Sequence, residues 1–177
     1  LLCVSGIAIG VAAIIVLVSL VDGFTAQFDE VISQFKGITV MQKDAGGATF
    51  SRVDTSFEGR LGSLPHVREA IAEIWVIPQK IDSTDLGTAS LTPPMVYGLD
   101  VDKYFSSNAK GWITEIGKGS GIGSSDAGWV LIGKGIEKDY RKFVGSTMRI
   151  NGKAFRVKGI LSGESDALSG MIAMNLG

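Results

Sequence analysis

The first 21 residues of the chain are apolar and uncharged, and every Lys, Arg, Asp and Glu follows Val21. A helix of this length is roughly 30 Å long, which is the thickness of the hydrocarbon core of a bilayer. A backbone that crosses lipid must satisfy its own hydrogen bonds, so we expect one continuous helix. The sequence therefore predicts a membrane-attached protein with lipid as a partner.

The composition of the other 156 residues is that of a folded, water-exposed domain, since they carry all 17 basic and 18 acidic side chains. That length suits one domain, or two small subdomains that share a core. The net charge of −1 gives no reason to expect nucleic acid or an anionic surface as a partner. The single cysteine, Cys3, lies in the apolar run, so no intrachain disulfide is expected.

The start of the chain allows two interpretations. Leu1 is preceded by no methionine or basic segment, so we expect that a preceding stretch has been removed. A cleaved signal peptide is the alternative, but its apolar part is normally about 7–15 residues long. Three acidic residues against Lys36 just after the span favour an extracytoplasmic location for the rest of the chain.

A stalk is predicted beyond the membrane. Apolar residues recur there at helical spacing up to Phe35, polar residues occupy the other face, and Gly37 ends the pattern. We expect residues 1–36 to form a transmembrane helix with a stalk that transmits movement to the rest of the chain.

The remaining sequence predicts an α+β fold. Residues 38–42 are expected to form a strand, 57–64 a helix that begins with a capping box at Thr55–Glu58, 67–82 one long strand or a bent pair, and 95–99 another strand. A glycine-rich loop is expected at 112–128. A strand follows at 129–132, then a short helix with Ile136, Tyr140 and Phe143 on one side. The dipeptide Asn151-Gly152 predicts a hairpin, and a last short strand is expected at 171–174.

No catalytic or cofactor-binding constellation is predicted. Residues 128–134 read G-x-x-x-x-G-K, but Gly135 stands where a phosphate-binding loop has Ser or Thr, and the residues between form an apolar strand. The alternate glycines from Gly117 fit no dinucleotide fingerprint. Residues 163–167 resemble a nucleophile elbow, yet the single histidine, His66, lies upstream of it.

Metal sites are not expected either, because one histidine and one membrane-embedded cysteine cannot form a zinc site. We interpret the acidic pairs of the sequence as turn residues. Gly6 and Gly10 form a G-x-x-x-G pattern, which permits close packing of membrane helices.

Seven short segments, in order along the chain, together resemble MacB/FtsX/LolC-type ABC transporter permeases. They are the runs at 5–24, 38–40, 64–67, 96–100, 130–133, 144–147 and 155–161. Two residues depart from the family pattern: His66 replaces the usual glycine, and Ser146 replaces the usual aspartate.

The resemblance implies an N-terminal fragment with a porter-like α/β sandwich subdomain at 37–100 and a mostly β inserted subdomain at 101–177. It implies a permease of the plasma or inner membrane that pairs with a second copy or a paralogue. ATP would be hydrolysed by a cytoplasmic ABC ATPase subunit or domain, so the chain itself would be neither an enzyme nor a cofactor-binding protein. The substrate stays open.

Two other functions remain open at this point: a single-span anchored binding or sensor domain, and a membrane-anchored enzyme. Three further apolar segments after residue 177 would favour a permease over an anchored module. A perturbed nucleophile or carboxylate in a cleft would favour an enzyme.

Overall fold

The structure, a computed structural model, describes residues 2–34, 37–86, 93–106, 113, 115–163 and 166–176. It divides into two compact units, Leu1–Phe35 and Lys36–Gly177, which we call the anchor and the head.

The anchor contains one unbroken helix, α1 (Leu2–Gln34). Its segment Gly6–Gly23 has a mean hydropathy of 2.3 and is long and apolar enough to cross a membrane. The side chains from Gly6 to Gly23 are exposed all round the helix. The unbroken run of α1 confirms the continuous helix expected from the sequence. A helix that is apolar on every side is stable in lipid or inside a bundle. The division into a span and a stalk stays a prediction.

The head consists of one mixed sheet with short helices. In the described part of the chain its strands are β1 (Glu73–Val76), β2 (Lys80–Ile81), β3 (Thr84–Asp85), β4 (Met95–Leu99), β5 (Ile116–Gly119), β6 (Trp129–Ile132), β7 (Thr147–Ile150), β8 (Lys153–Leu161) and β9 (Met171–Asn175). The helices are α2 (Ser56–Gly62), α3 (Val101–Ser106), α4 (Lys134–Asp139) and α5 (Asp166–Ser169), with a 3-10 turn at Ala48–Phe50.

The sheet has the strand order β1-β4-β9-β6-β8-β7-β2-β3, and β5 also pairs with β8. The pairs β4–β9 and β6–β8 are parallel and the others are antiparallel. The long strand β8 pairs with β7 through its first four residues and with β5 through its last three. The α+β class expected from the sequence is confirmed.

The core lies on both sides of the central strands. Leu131 and Ile132 are adjacent on β6 and both are fully buried. Because successive residues of a strand point to opposite faces, both faces of the sheet are covered at this point. One of the two faces contributes the cluster that includes Val130, Ile132, Met148, Val157 and Ile172.

Several local predictions are confirmed. Asn151 and Gly152 both have positive φ, at 48° and 84°, as the tightest hairpin turn requires, and they join β7 to β8. Strands β4, β6 and β9 lie where they were expected. Of the long strand or bent pair expected at 67–82, only β1 and β2 form strands, and the described residues 67–72 and 77–79 form none.

Other predictions are wrong. Residues 38–42 are described and form no strand, and Ile38 is 94% exposed. The expected glycine-rich loop contains β5, and Phe143 is exposed rather than packed beside Ile136. At α2 it is Asp54 Oδ1 that accepts a hydrogen bond from Ser56 N, at 2.9 Å, and Thr55 makes no side-chain cap bond.

The predicted subdomain division at residue 100 stays a prediction. In the described structure, strands from both sides of that boundary pair in the one sheet: β4 with β9, and β2 with β7.

Candidate functional site

The two glycines predicted to pack in the membrane lie on α1 in open space. A Cβ atom added to Gly6 or Gly10 would meet nothing within 4 Å. No contact among the described residues therefore requires glycine at these positions, and a role in helix packing stays a prediction.

The segment that resembles a phosphate-binding loop is a strand in the structure. Gly128 has a φ of 81° and forms a turn, and the next four residues form β6 between β8 and β9. The backbone of these four residues is paired within the sheet, so it does not form a phosphate cradle. Among the described residues, no group of three or more His, Cys, Asp or Glu is placed to hold a metal ion.

An open pocket of about 430 Å³ lies beside α2, and its lining includes Glu58, Arg68, Glu69 and Lys103. Lys103 Nζ is 2.6 Å from Glu58 Oε1 and 3.7 Å from Asp100 Oδ2. The hydrogen bond to Glu58 raises the pKa of Lys103, so its ammonium group stays charged. The four charged residues of the lining balance, which gives this pocket no preference for one sign of ligand.

A second surface carries two exposed arginines that form no ion pair with any described residue. It is the outer side of strands β6, β8 and β7, opposite Met148 and Ile150, which are buried. Thr147 is paired with Arg156 across the sheet, and Arg149 with Ala154. Side chains of directly paired residues share a face. We call this surface the cationic face and define it by five residues: Trp129, Thr147, Arg149, Ala154 and Arg156.

The arginine of this face nearest the sheet centre is held by an aromatic ring. Arg156 Cζ lies 4.8 Å from the ring centroid of Trp129, its neighbour on β6. This cation–π contact restricts the guanidinium group but uses none of its N–H donors. Neither Arg149 nor Arg156 forms an ion pair with any described residue.

Other basic residues close to the cationic face are paired with acidic groups. Lys158 forms an ion pair with Asp126. Lys142 Nζ is 2.7 Å from Asp82 Oδ2 and also donates a hydrogen bond to the carbonyl oxygen of Thr147. The positive charge that is left over on this side of the sheet therefore belongs to the two arginines.

Two side chains hydrogen-bond across the contact between β2 and β7, beside the cationic face. Asp82 Oδ1 accepts a hydrogen bond from Arg149 N at 2.8 Å. Asn151 Oδ1 accepts hydrogen bonds from Gln79 N and Lys80 N, at 2.8 and 3.0 Å. Because β2 itself has only two residues, these bonds supply much of its attachment to β7.

We expect Asp82→Asn to destabilise the head by about 1–3 kcal/mol at neutral pH. Burial disfavours the charged carboxylate, but the bonds and charges of Lys142 and Arg149 outweigh it, so the pKa of Asp82 lies below its ordinary value of 3.8. The stabilisation is complete well above that pH and is lost as the pH falls through the folded-state pKa. Urea unfolding at neutral and acidic pH measures both effects.

The matched control for this prediction is Asp85→Asn on the same hairpin. Asp85 pairs with Lys80 at 3.3 Å, but its side chain is 79% exposed, so we expect a loss below about 1 kcal/mol. Equal losses for the two variants, or a loss for Asp82→Asn that does not shrink in acid, would contradict the assigned role.

Comparison with known proteins places the chain in a family. The family model of the MacB-like periplasmic core domain matches residues 1–175, nearly the whole chain. The chain belongs to the MacB-like periplasmic core domain family. The resemblance to MacB-type ABC transporter permeases found in the sequence is thereby confirmed.

Among solved structures, the MacB-like chain is similar to the periplasmic region of MacB from Actinobacillus actinomycetemcomitans, with 18% sequence identity and a TM-score of 0.45. The similarity covers 80% of this chain and 62% of that one, so the chain spans less than two thirds of the solved region. No curated protein matches the sequence.

The structure accounts for one departure of this chain from the MacB-like pattern. His66, where the family usually has glycine, has a φ of 68°. This is the left-handed region, in which glycine is favoured because it has no Cβ. Glycine is therefore favoured at this turn on backbone grounds, and the exposed His66 adopts a conformation that has a steric cost for any residue with a Cβ.

The cationic face of the MacB-like head was missed in the sequence, although a signal was present. The residues from 129 to 163 contain eight basic and two acidic side chains, whereas the net charge of the whole chain is −1. Summing over the whole chain hid this segregation.

Proposed function

We propose that the chain is the N-terminal part of the permease subunit of an ABC transporter, located in the plasma or inner membrane with its head on the extracytoplasmic side. The observation that carries this proposal is that one family model spans both α1 and the head. The apolar segment Gly6–Gly23 supports attachment to the membrane.

In this proposal the chain does not hydrolyse ATP. A cytoplasmic ABC ATPase, as a separate subunit or domain, supplies the energy, and a second permease copy or a paralogue completes a pair. Nucleotide binding changes how the ATPases associate, and the membrane helices pass that change to the heads. The movement serves either export of a substrate or transmission of force.

The proposal is tested by purifying the full-length permease from its native membrane and identifying the proteins that accompany it. We expect an ABC ATPase in a stable complex. Spin labels at Arg52→Cys, an exposed head position, would report the distance between paired heads in a permease in which Cys3 and any other native cysteine are replaced by serine. We expect this distance to differ between the nucleotide-free and nucleotide-bound complex.

Two results would count against the proposal. If no ATPase accompanies the permease, an anchored binding or sensor domain becomes the better interpretation. If an ATPase is bound but the distance between heads is the same with and without nucleotide, the coupling is absent. Labels on the cytoplasmic ATPase serve as the positive control for nucleotide-driven movement.

We further propose that Gly6 and Gly10 let another membrane helix approach α1 closely. Gly6→Leu with Gly10→Leu is expected to weaken the association of permease copies in a bilayer by about tenfold, because leucine would hold the two backbones apart. Energy transfer between labelled copies in vesicles measures the association.

The matched control for the membrane prediction is Ala8→Leu with Ala12→Leu, which adds apolar bulk on another side of the same helix. We expect this pair to leave the association nearly unchanged. If both double variants weaken the association equally, then added side-chain volume on any side of α1 weakens it, and the assigned packing face is wrong.

A further inference from the structure

The charge of the chain is segregated along the sequence. Residues 129–163 carry eight basic and two acidic side chains, a net charge of +6, while the rest of the chain carries nine basic and 16 acidic, a net charge of −7. The basic residues of this region are Lys134, Lys138, Arg141, Lys142, Arg149, Lys153, Arg156 and Lys158. This is the charge of a sequence segment, and Asp82 and Asp126, which lie outside it, pair with Lys142 and Lys158. The positive charge that remains after these ion pairs attracts an anionic partner and speeds its association.

Within this region the cationic face has the two arginines that are free to bind a partner. Arg149 and Arg156 are exposed and form no ion pair with any described residue, whereas Lys142 and Lys158 are paired. The carboxylate of Asp82 contributes negative charge near Arg149, but it is already engaged by Lys142. Lys80, on the neighbouring hairpin, is paired with Asp85.

The geometry of the face suits carboxylate groups. Arginine binds a carboxylate through two parallel N–H donors, and Trp129 holds the Arg156 guanidinium in place while leaving those donors unused. Ala154, directly opposite Arg149, has a small side chain and leaves the surface between the two arginines open.

The spacing of the two arginines matches an extended polypeptide. Arg149 and Arg156 are diagonal neighbours across two antiparallel strands, since Arg156 is paired with Thr147. Such neighbours are about 7–8 Å apart. Alternate residues of an extended chain, whose side chains point the same way, are about 7 Å apart. The separation of about 7–8 Å is that of the Cα and Cβ atoms, and the Arg156 guanidinium group lies on the Trp129 side of its strand. Acidic side chains at positions i and i+2 of an extended segment laid across β7 and β8 come within reach of these two long side chains.

We propose that the cationic face is the docking surface for an extended acidic segment of a partner protein, with Asp or Glu at alternate positions. The exposed sheet surface and the Cβ spacing of the two arginines favour such a segment over an anionic lipid surface, which offers no fixed spacing of charges. Binding at this face concerns the head alone, so it does not depend on an ATPase or on movement of the heads.

The test uses the full-length permease that contains this chain, in a zwitterionic detergent, and a fluorescein-labelled peptide of about ten residues in which glutamate alternates with serine. Fluorescence anisotropy measures the dissociation constant. We expect binding that weakens with added salt. We expect the double variant Arg149→Gln with Arg156→Gln to bind at least about tenfold more weakly.

The matched control is Lys43→Gln with Arg52→Gln, which removes the same charge from exposed positions outside the basic region. We expect less than about a twofold change for this pair. Circular dichroism shows whether each variant is folded. Ala154→Glu is a second variant that keeps both arginines and places a carboxylate beside them, and we expect it to abolish peptide binding.

Three results would overturn the proposal. The first is a double arginine variant, or Ala154→Glu, that is folded and binds the peptide as tightly as the unaltered chain. The second is equal binding of a peptide of the same composition with its glutamates in one block. The third is tighter binding to phosphatidylglycerol vesicles than to the peptide, lost in the arginine variant, which would assign the face to a lipid surface.

Discussion

Ile132→Ala is expected to destabilise the head by about 2–5 kcal/mol, the largest effect we predict for a single side chain. Ile132 is fully buried on β6, and its backbone is paired with Ile160 on one side and Ile172 on the other. Removing three carbons from this position leaves a cavity among residues whose strands hold them in place. Urea unfolding followed by tryptophan fluorescence measures the loss.

The matched control is Ile74→Ala on the edge strand β1. Ile74→Ala removes the same three carbons from a strand of the same sheet. Because Ile74 is 46% exposed, we expect the free energy of unfolding to fall by less than about 1.5 kcal/mol. A loss at Ile74 as large as that at Ile132 would mean that the edge strand is buried in the protein and that the core extends to β1.

Gly133→Ala is expected to cost about 1–3 kcal/mol or more, because the turn after β6 has no room for a methyl group. An added Cβ would overlap the carbonyl oxygens of Leu168 and Ser169 and lie 2.7 Å from the carbonyl carbon of Ser169. These are backbone atoms, so they cannot rotate away. The backbone of Gly133 itself is extended, with a φ of −74°, so alanine meets no conformational penalty of its own.

The control for this crowding is Gly121→Ala, where a Cβ would meet nothing within 4 Å. We expect Gly121→Ala to be neutral or slightly stabilising, because alanine has less conformational freedom in the unfolded chain. Thermal unfolding of the two variants beside the unaltered chain gives the comparison. A neutral result for Gly133→Ala would show that α5 can move away from β6 without cost.

Sequence patterns were most reliable where the structure depends on neighbouring residues. The Asn151-Gly152 turn was found because positive φ at two successive residues is acceptable to few other dipeptides. Strands β4 and β6 were found because each is a short apolar run bounded by turn residues. The long apolar helix was predicted because the first 21 residues carry no charge over a length that matches the hydrocarbon core of a bilayer.

Patterns failed where the outcome depends on distant residues. Residues 38–42 have the composition of a strand, but in the described structure they pair with no other strand. In contrast, β5 lies in a glycine-rich stretch with poor strand propensity, and it forms because β8 is long enough to offer it an edge. A strand needs a partner, and the partner of β5 is about 40 residues away along the chain.

The candidate site shows the same division. The excess of basic residues at 129–163 can be counted in the sequence, and alternate residues of a strand are known to share a face. That Arg149 and Arg156 lie together, however, requires the register in which Thr147 faces Arg156. The contact with Trp129 further requires that β6 lie beside β8, on the side away from β7.

The amino-acid order was enough to predict a helix apolar enough to cross a membrane, an α+β head and the family, since these depend on local composition and short motifs. Strand order, the parallel pairs β4–β9 and β6–β8, and the cationic face came from the folded chain. The physical reason is that local patterns reflect backbone preferences and burial, whereas pairing is selected by the packing of the whole head.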